Sequence, residues 1–476
     1  MTGSRDFGKF DNFVIGKAKE TNLPSITAGL IENGKIVHSM AYGFKDIASS
    51  TPASINTLYG VGSITKSLTA LAVAKLVERG KMNFRDKVTK FLPLKQKAFR
   101  DVEIHHLLTH TSGIPGLGFA EVLIYSTIGT YNRPSPILSF DDVVPFLDEV
   151  DDWVESKPGE RLFYLNEGYD LLGDIIAKVS GRPYAEFVTD EILKPLGMTR
   201  SYFAKEQIEG DSDTATAYVV KDGRVTVAKI PYGSSPAGGL VTNVADLSNY
   251  VTMFINGGEF EGKRIVNADT LERMETPYVR WPREMFPGQG YGYGLEIIPS
   301  FYGSKVVFHG GSVEVFTASF AYCRNARCGI ALMANGTGYS MDRIALYGMA
   351  LLMDKNPEQL PVIKLDNLLK QLEGRYSAYK GTVLAEVNRN GSFLVLSGED
   401  IGENIILIPE SADSNVANFY TLVGTAKGAV EFRLNNQSVE MIYERYKYRK
   451  TGPLNQSKDG RRYATSPAAG VFQLTR

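Results

Sequence analysis

The segment Leu68-Thr69-Ala70-Leu71-Ala72-Val73-Ala74 constrains the fold of this chain more than any other. It lies within a predicted helix from Ser63 to Arg79, which Gly80 is placed to end. The helix is apolar on nearly every face, and such a helix lies in the middle of a domain with other elements packed around it. With 476 residues, the chain is long enough for a core of this kind and for two or three domains.

Strand patterns stand at both ends of a region whose middle is helical. A predicted helix from Asp11 to Glu20 precedes a predicted hairpin, 26–42, whose turn contains Asn33-Gly34, a strong hairpin signal. Strand patterns return between Gly292 and Asn335, and a helix from Met341 to Met353 follows. The order predicts one mixed sheet closed by distant segments, with a helical insertion.

The composition changes near Pro361. Beyond it, the sequence shows strand patterns only, about seven of them between Gly374 and Tyr446, the last spanning Val439 to Tyr446. Short strands at regular spacing are typical of a small meandering barrel. We therefore predict two domains, 1–360 and 361–476.

Charge and composition exclude several classes of function. The formal net charge is -1 and the pI is about 6.6, without the basic stripe of a nucleic-acid-binding protein or of a protein held on anionic membranes. The start, Met1 to Phe7, lacks the apolar region of a secretory signal, and no apolar run has the length of a membrane span. We expect a cytoplasmic protein that binds neither nucleic acid nor membrane. Cys323 and Cys328 are then expected to be free thiols rather than a hairpin disulfide.

The pattern Ser-x-x-Lys occurs twice, at Ser63–Lys66 and at Ser377–Lys380. Positions i and i+3 are neighbours on a helix but point to opposite faces of a strand, where we place the second pair. Ser63 also begins the buried helix, where free N–H groups and the helix dipole favour negative charge. Ser63 is therefore the candidate nucleophile, and its N–H a candidate oxyanion donor.

Lys66 is the candidate base. An ordinary lysine, with a pKa of about 10.4, is protonated near neutrality, and a catalytic lysine needs a pKa of roughly 7–8. Burial and the positive end of the helix both lower a lysine pKa. The alternative is that Lys66 extends to the surface and has no chemical role.

Two more stretches carry candidate site residues. In Tyr164-Leu165-Asn166, a tyrosine hydroxyl beside a lysine can pass protons, and an asparagine amide can hold a substrate amide. In His309-Gly310-Gly311, at the end of a predicted strand, the glycines permit close approach of a ligand. The N–H of the next residue, Ser312, is a candidate second oxyanion donor. Taken singly, each stretch is also compatible with a purely structural role.

As an ordered set, these three stretches resemble the serine β-lactamase and penicillin-binding-protein superfamily, and within it the CubicO group of peptidases. Three further stretches support the resemblance, which covers roughly 10–355: Leu107 to Ile114, Pro236 to Leu240 and Tyr291 to Leu295. It implies an α/β (α+β) β-lactamase-like domain with a central antiparallel sheet flanked by helices. It also implies that Ser63 is acylated, that Lys66 and Tyr164 share proton transfer, and that Asn166 contacts substrate.

The third motif departs from the lactam-hydrolysing members, which have Lys-Thr-Gly where this chain has His309-Gly310-Gly311. The lysine that receives a substrate carboxylate is missing, which favours the peptidase and esterase members. The resemblance implies a serine peptidase for short peptides, aminopeptidase-like and directed to D-amino acids, needing no metal or other cofactor. His309, Gly310 and Gly311 would then bind substrate. The open alternatives are an esterase or weak β-lactamase, and a non-catalytic protein that binds β-lactams or another small ligand.

Some CubicO-type peptidases, an archaeal member among them, carry a lipocalin-like C-terminal domain and can build closed homo-oligomers. The predicted barrel is similar to that domain, so we expect a homo-oligomer.

Two rival hydrolase patterns are weak. The chain has no Gly-x-Ser-x-Gly elbow for a Ser-His-Asp triad, and His106 and His110, although spaced for metal binding, lack the intervening glutamate of a zinc motif.

Overall fold

In a computed structural model, the described residues are 6–130, 143–221, 223–232, 236–399, 401–413, 415–435 and 438–454. They divide into two compact units, the first ending at Pro357 and the second beginning at Glu358. Each unit has a hydrophobic core of its own. Among these residues, no helix combines the length and the apolar character needed to cross a membrane.

The first unit is built on one large sheet. Its strands, in chain order, are β1 (Ser25–Glu32), β2 (Lys35–Asp46), β3 (Thr51–Pro52), β4 (Tyr59–Gly60), β5 (Tyr218–Lys221), β6 (Arg224–Val227), β7 (Val241–Thr242), β8 (Glu259–Phe260), β9 (Lys263–Arg264), β10 (Val279–Arg280), β11 (Gly290–Tyr291), β12 (Glu296–Phe301), β13 (Ser304–Ser312), β14 (Thr317–Cys323) and β15 (Cys328–Ala334). Nine of them form the sheet, in the order β10-β11-β12-β13-β14-β15-β1-β2-β3. β4 with β7, β5 with β6 and β8 with β9 form small two-stranded sheets.

The pairing of this sheet joins distant parts of the chain. β1 pairs with β15 in antiparallel register, so that Ile26 faces Ala334. All strand pairs in the sheet are antiparallel, which corrects the mixed sheet expected from the strand order and confirms the antiparallel sheet implied by the resemblance. At the predicted hairpin, Asn33 and Gly34 both have positive φ (50° and 79°), as the common two-residue turn requires.

The helices of the first unit flank the sheet and fill the insertion. In chain order they are α1 (Gly8–Glu20), α2 (Thr65–Glu78), α3 (Ile104–Leu108), α4 (Phe119–Thr127), α5 (Val143–Phe146), α6 (Asn166–Ser180), α7 (Tyr184–Val188), α8 (Lys205–Gly210), α9 (Val244–Ile255), α10 (Ala268–Met274) and α11 (Met341–Leu352). Every residue of α2 from Thr65 to Ala74 is buried, which confirms the central position predicted for this helix. Ser63 itself lies in a short 3₁₀ turn, Gly62–Ile64, that leads into α2.

The second unit is a closed antiparallel barrel preceded by a helix, α12 (Pro361–Leu372). Its strands are β16 (Gly374–Ser377), β17 (Leu384–Asn390), β18 (Phe393–Ser397), β19 (Ile405–Ala412), β20 (Val416–Val423), β21 (Ala426–Asn435), β22 (Ser438–Tyr443) and β23 (Tyr446–Gly452). Apolar side chains fill the core, and α12 contributes Leu369 and Leu372 to it. The expected barrel is therefore confirmed.

Two details of the barrel prediction were wrong. The segment from Pro361 to Leu372, where only strands were expected to follow, is a helix, because a proline is well suited to the first turn of a helix and apolar residues recur at helical spacing. The single strand predicted from Val439 to Tyr446 is two strands, β22 and β23, joined by a tight turn in which Glu444 has a φ of 50°. Within the described residues the barrel accordingly has eight strands rather than about seven.

The second Ser-x-x-Lys pair is also placed differently from the prediction. Ser377 ends β16, whereas Lys380 lies in the following turn with a φ of 54°. The Ser377 hydroxyl donates to the carbonyl of Ala378 at 3.1 Å. At the far end of the hairpin formed by β14 and β15, Cys323 and Cys328 are register partners and are buried free thiols.

Candidate active site

The backbone around Ser63 is shaped by a close approach between two segments. Gly62 has a φ of 51°, and a Cβ at this position would lie 2.6 Å from the backbone nitrogen of Ser312. A Cβ on Gly311 would lie 1.9 Å from the carbonyl oxygen of Val61 and 2.8 Å from the backbone nitrogen of Ser63. Glycine is therefore required on both sides of this gap. The two predicted oxyanion donors, the N–H groups of Ser63 and Ser312, belong to the two segments that meet there.

Lys66 is fully buried, which excludes the alternative of a side chain that extends to the surface. Its Nζ lies within hydrogen-bond distance of three oxygens: Ser63 Oγ at 3.0 Å, Asn166 Oδ1 at 2.7 Å and the Ala237 carbonyl at 2.7 Å. As an ammonium, Lys66 can donate one hydrogen to each of them. As a neutral amine it donates two and keeps a lone pair for the third partner.

Burial lowers the pKa of Lys66 from 10.5 to about 7, because the charged form loses its hydration. Three carboxyl groups, led by Asp170 and followed by Glu121 and Glu167, act in the opposite direction. Asp170 and Glu167 lie on α6, and Glu121 lies on α4. The resulting balance leaves a lysine that changes protonation near neutral pH.

Tyr164 and Asn166 enter the site together at the start of α6. Tyr164 lies two residues before the helix begins at Asn166, and the ring centre of Tyr164 is 4.8 Å from Lys66 Nζ. Burial raises the pKa of Tyr164, while its hydrogen bond with Ser63 acts in the opposite direction. The amide of Asn166 bridges Lys66 and Glu121: its oxygen accepts from Lys66, and its nitrogen donates to Glu121 Oε1 at 3.1 Å.

His309 lies at the predicted place, but both of its ring nitrogens already have hydrogen-bond partners. Its Nδ1 is 2.5 Å from the carbonyl of Gly310, which can only accept, and its Nε2 is 2.9 Å from the hydroxyl of Tyr291. Burial lowers the pKa of His309 to about 3, so the ring is neutral. A direct contact between His309 and a substrate would require one of these partners to be exchanged. Gly310 makes room for Asp342, since a Cβ there would lie 2.5 Å from Asp342 Oδ1.

An aromatic layer that the sequence analysis did not assign supports Tyr164. The ring of His110 lies 4.1 Å from that of Tyr164, and His110 Nδ1 accepts from the backbone nitrogen of Leu165 at 3.0 Å. Tyr291 packs against both rings, at 4.9 Å from His110 and 6.2 Å from Tyr164. The supporting stretches around His110 and Tyr291 were recognised in the sequence, but not this packing.

The carboxyl groups near Lys66 were also missed. Glu167 and Asp170 follow Asn166 on the same helix, and the spacing of Asn166 and Asp170, four residues apart, places them on one face. That signal was present in the sequence. Glu121, by contrast, lies 45 residues before Asn166 in a segment with no recognisable motif, so only the tertiary structure could reveal it.

The first unit matches a family model over most of its length. The model described as Beta-lactamase matches residues 10–353. The chain belongs to the beta-lactamase family. A second model, the Pab87 octamerisation domain, matches residues 357–449, which include the barrel strands β16 to β22. The recognised resemblance to this superfamily, with a C-terminal barrel, is thereby confirmed.

Among solved structures, the chain is similar to the octameric penicillin-binding protein homologue from Pyrococcus abyssi, with 42% identity and a TM-score of 0.88. The match covers 94% of this chain and 100% of that one. The penicillin-binding protein from Bacillus halodurans shares the fold, with 24% identity, a TM-score of 0.57, and coverage of 72% of this chain and 98% of that one.

Among curated proteins, the chain is similar to Protein flp from Staphylococcus aureus, with 26% identity over 333 residues, or 69% of this chain. The match spans 62% of the length of that relative. A protein from Mycobacterium tuberculosis is 26% identical over 330 residues, which cover 60% of this chain and 78% of that protein.

Proposed function

We propose that this chain is a serine peptidase that acts on short peptides through an acyl-enzyme, with Ser63 as nucleophile, Lys66 as base and Tyr164 as proton carrier. The observation that carries the proposal is the environment of Lys66 Nζ. Two of its three oxygen neighbours, Asn166 Oδ1 and the Ala237 carbonyl, can only accept a hydrogen bond. A neutral Lys66 amine uses its two hydrogens on them and directs its lone pair at Ser63 Oγ.

Acylation then follows from this geometry. Ser63 Oγ attacks the carbonyl carbon of the substrate, and its proton passes to Lys66 Nζ, which becomes an ammonium. A base with a pKa near the working pH is suited to this step, and burial brings the Lys66 pKa to about 7. The negative charge on the carbonyl oxygen is received by the N–H groups of Ser63 and Ser312.

The leaving amine must gain a proton when the C–N bond breaks. In our proposal Tyr164 gives its hydroxyl proton to this nitrogen and takes one from the Lys66 ammonium. Because burial raises the Tyr164 pKa, the resting tyrosine is protonated, as this relay requires. Water then hydrolyses the ester on Ser63 with the same groups acting in reverse order. Asn166 has one further amide hydrogen for a substrate carbonyl.

The charge of the site favours a substrate amino group over a substrate carboxylate. The acidic neighbours of Lys66 are the carboxyl groups of Glu121, Glu167 and Asp170, although burial raises the pKa of Glu167 to about 7. His309, which replaces the lysine of lactam-hydrolysing relatives, is neutral. These features support an aminopeptidase-like activity. The narrower proposal of action on D-amino acids depends on the resemblance of His309-Gly310-Gly311 to the motif of such peptidases.

A fluorophosphonate probe tests the nucleophile. We expect covalent labelling of wild-type protein at Ser63, found by peptide mass spectrometry, and its loss in Ser63→Ala. Ser377→Ala is the matched control, because Ser377 has the same sequence pattern but its hydroxyl donates to the carbonyl of Ala378, and we expect it to be labelled like wild type. Failure to label Ser63 in the folded protein would exclude the enzyme proposal.

The substrate class is tested with a panel of D- and L-aminoacyl p-nitroanilides, short-chain esters and the β-lactam nitrocefin. Release of p-nitroaniline that depends on Ser63 supports the peptidase. Hydrolysis of esters alone, or of nitrocefin alone, would replace it by the esterase or the weak β-lactamase. Binding of nitrocefin without turnover would favour the non-catalytic alternative.

We also propose that the chain assembles into a homo-octamer through the barrel. The support is the 42% identity to an octameric homologue over 94% of this chain, together with the match of 357–449 to an octamerisation domain. Several large apolar side chains of the barrel are exposed, as expected of an interaction surface: Tyr379, Leu384, Ile406, Leu422 and Val423. Light scattering should give eight times the 52.4 kDa mass of one chain, and a monomeric mass at micromolar concentration would refute the proposal.

A further inference from the structure

Glu121 lies outside the three motifs but reaches the centre of the site. It is carried by α4, and its Oε1 accepts a hydrogen bond from Asn166 Nδ2 at 3.1 Å. The oxygen of the same amide accepts from Lys66 Nζ at 2.7 Å. A continuous chain of hydrogen bonds therefore runs from Glu121 through Asn166 to Lys66, and from there to Ser63 at 3.0 Å.

Hydrogen bonds hold the helix that carries Glu121 near both of its ends. At the start of α4, the backbone nitrogen of Phe119 donates to Glu167 Oε1 at 2.9 Å. Four residues after Glu121, the hydroxyl of Tyr125 donates to Glu314 Oε1 at 3.2 Å. Tyr125, four residues after Glu121, shares its face of α4, and the two contacts hold the helix on both sides of Glu121.

A carboxylate is selective at this position because it accepts hydrogen bonds and cannot donate them. An asparagine amide can be turned by 180°, which exchanges its oxygen and its nitrogen. If the Asn166 amide turned, its N–H₂ group would face the N–H groups of Lys66, and its oxygen would face the oxygens of Glu121. The carboxylate therefore holds the amide with its oxygen on Lys66.

We propose that Glu121 is a positioning residue for acylation: it fixes the orientation of Asn166, which in turn directs the lone pair of Lys66 at Ser63. This inference rests on the function proposed above and adds a residue to it. It also predicts an electrostatic effect, because the negative charge of Glu121 favours the ammonium form of Lys66.

Other groups around Lys66 also affect its titration, and one of them, Glu167, itself responds to Glu121, whose negative charge raises the Glu167 pKa. Asp170 and Glu167 on α6 favour the charged form, and the aromatic rings within about 6 Å of Nζ are those of Tyr164 and Tyr169. The two imidazoles that Lys66 influences, His110 and His309, are neutral because burial lowers their pKa.

The test measures the second-order rate of fluorophosphonate labelling of Ser63 between pH 5 and 9. This probe has no peptide amide, so the rate reports the activation of Ser63 rather than a contact between Asn166 and substrate. Each profile gives a midpoint, set by the titration of Lys66, and a plateau rate at high pH. A residue that neither acts on the charge of Lys66 nor orients Asn166 would change neither the midpoint nor, in a folded variant, the plateau.

Two variants separate charge from orientation. Glu121→Gln has nearly the same shape and can still accept from Asn166, so it chiefly removes the charge, and its midpoint should move to lower pH by about 1 pH unit. Glu121→Ala also removes the acceptor that holds the Asn166 amide. Its plateau rate should fall by about tenfold to a hundredfold, because Lys66 is then less well oriented as the base. Glu155→Gln, on an exposed residue, is the control for the loss of one charge.

The outcomes are distinct. A lower midpoint in Glu121→Gln and a lower plateau in Glu121→Ala, with melting temperatures close to that of wild type, support the proposal. If the profiles of both variants coincide with that of Glu155→Gln, the role proposed for Glu121 is overturned. The proposed function still holds in that case, provided that wild-type protein is labelled. If wild-type protein is not labelled at all, the proposed function fails and the role of Glu121 fails with it.

Discussion

Lys66 Nζ and Asn166 Oδ1 are 2.7 Å apart, although 100 positions separate the two residues in the chain. This hydrogen bond joins α2, the central helix of the first unit, to the first residue of α6. It also fixes the orientation of the Lys66 amine, because one of the amine hydrogens is donated to the amide oxygen of Asn166.

Substitution of Lys66 should abolish acylation of Ser63 and leave the fold intact. Lys66→Met keeps most of the volume of the buried side chain without its charge, and Lys66→Ala removes both. We expect no fluorophosphonate labelling in either variant, with a melting temperature for Lys66→Met close to that of wild type, because relief from burying the amine offsets the hydrogen bonds lost by Asn166 and Ala237. Labelling of either variant at a rate near that of wild type would contradict the assignment of Lys66 as base.

The rate of acylation should rise with pH through about 7. Lys66 is a base only when neutral, it is neutral above its pKa, and burial brings that pKa to about 7. Protonation below this value removes the lone pair that accepts the Ser63 proton. The labelling rate measured from pH 5 to 9 checks this, and a rate that does not change over that range would show that Lys66 is not the titrating base.

Tyr164→Phe should slow turnover by about 10² to 10⁴, the range typical for loss of a general acid or base. The phenyl ring keeps the packing against His110, 4.1 Å away, so folding should be preserved. Steady-state hydrolysis of a p-nitroanilide substrate measures the effect. The control is Tyr302→Phe, which removes a hydroxyl bonded to the carbonyl of Asn356 away from the site. Equal rates for the two variants would remove Tyr164 from the proton path.

Gly311→Ala should eliminate activity. Its Cβ would lie 1.9 Å from the carbonyl oxygen of Val61, far inside van der Waals contact, so the two segments that carry the proposed oxyanion donors must separate. Gly16→Ala is the control, because the position lies within α1 and, apart from its own helix backbone, nothing lies within 4 Å of its added Cβ. Alanine favours a helix by roughly 0.5–1 kcal/mol over glycine, so this control should melt at a slightly higher temperature. An active Gly311→Ala variant would show that the close approach is not needed.

Much of the fold was predictable because its signals are local. The Asn33-Gly34 turn, the apolar α2 and the regular strands of the barrel each appear within a short stretch of sequence. The errors also have local causes. The helix α12 was missed although Pro361 is suited to its first turn, and the turn at Glu444 was missed because it contains neither Gly nor Asn to mark it.

The sequence alone was enough to predict the reacting groups of the site: Ser63 and Lys66 one helical turn apart, Tyr164 and Asn166 two residues apart, and the glycines after His309. These spacings are local, and helix geometry predicts which of the side chains are neighbours. The tertiary structure decided which side chains surround Lys66, because its burial, its bond to Asn166 and the carboxylate of Glu121 come from segments far apart in the chain. The pKa of a lysine depends on its burial and on the charges around it. Neither can be predicted from the spacing of residues along the sequence.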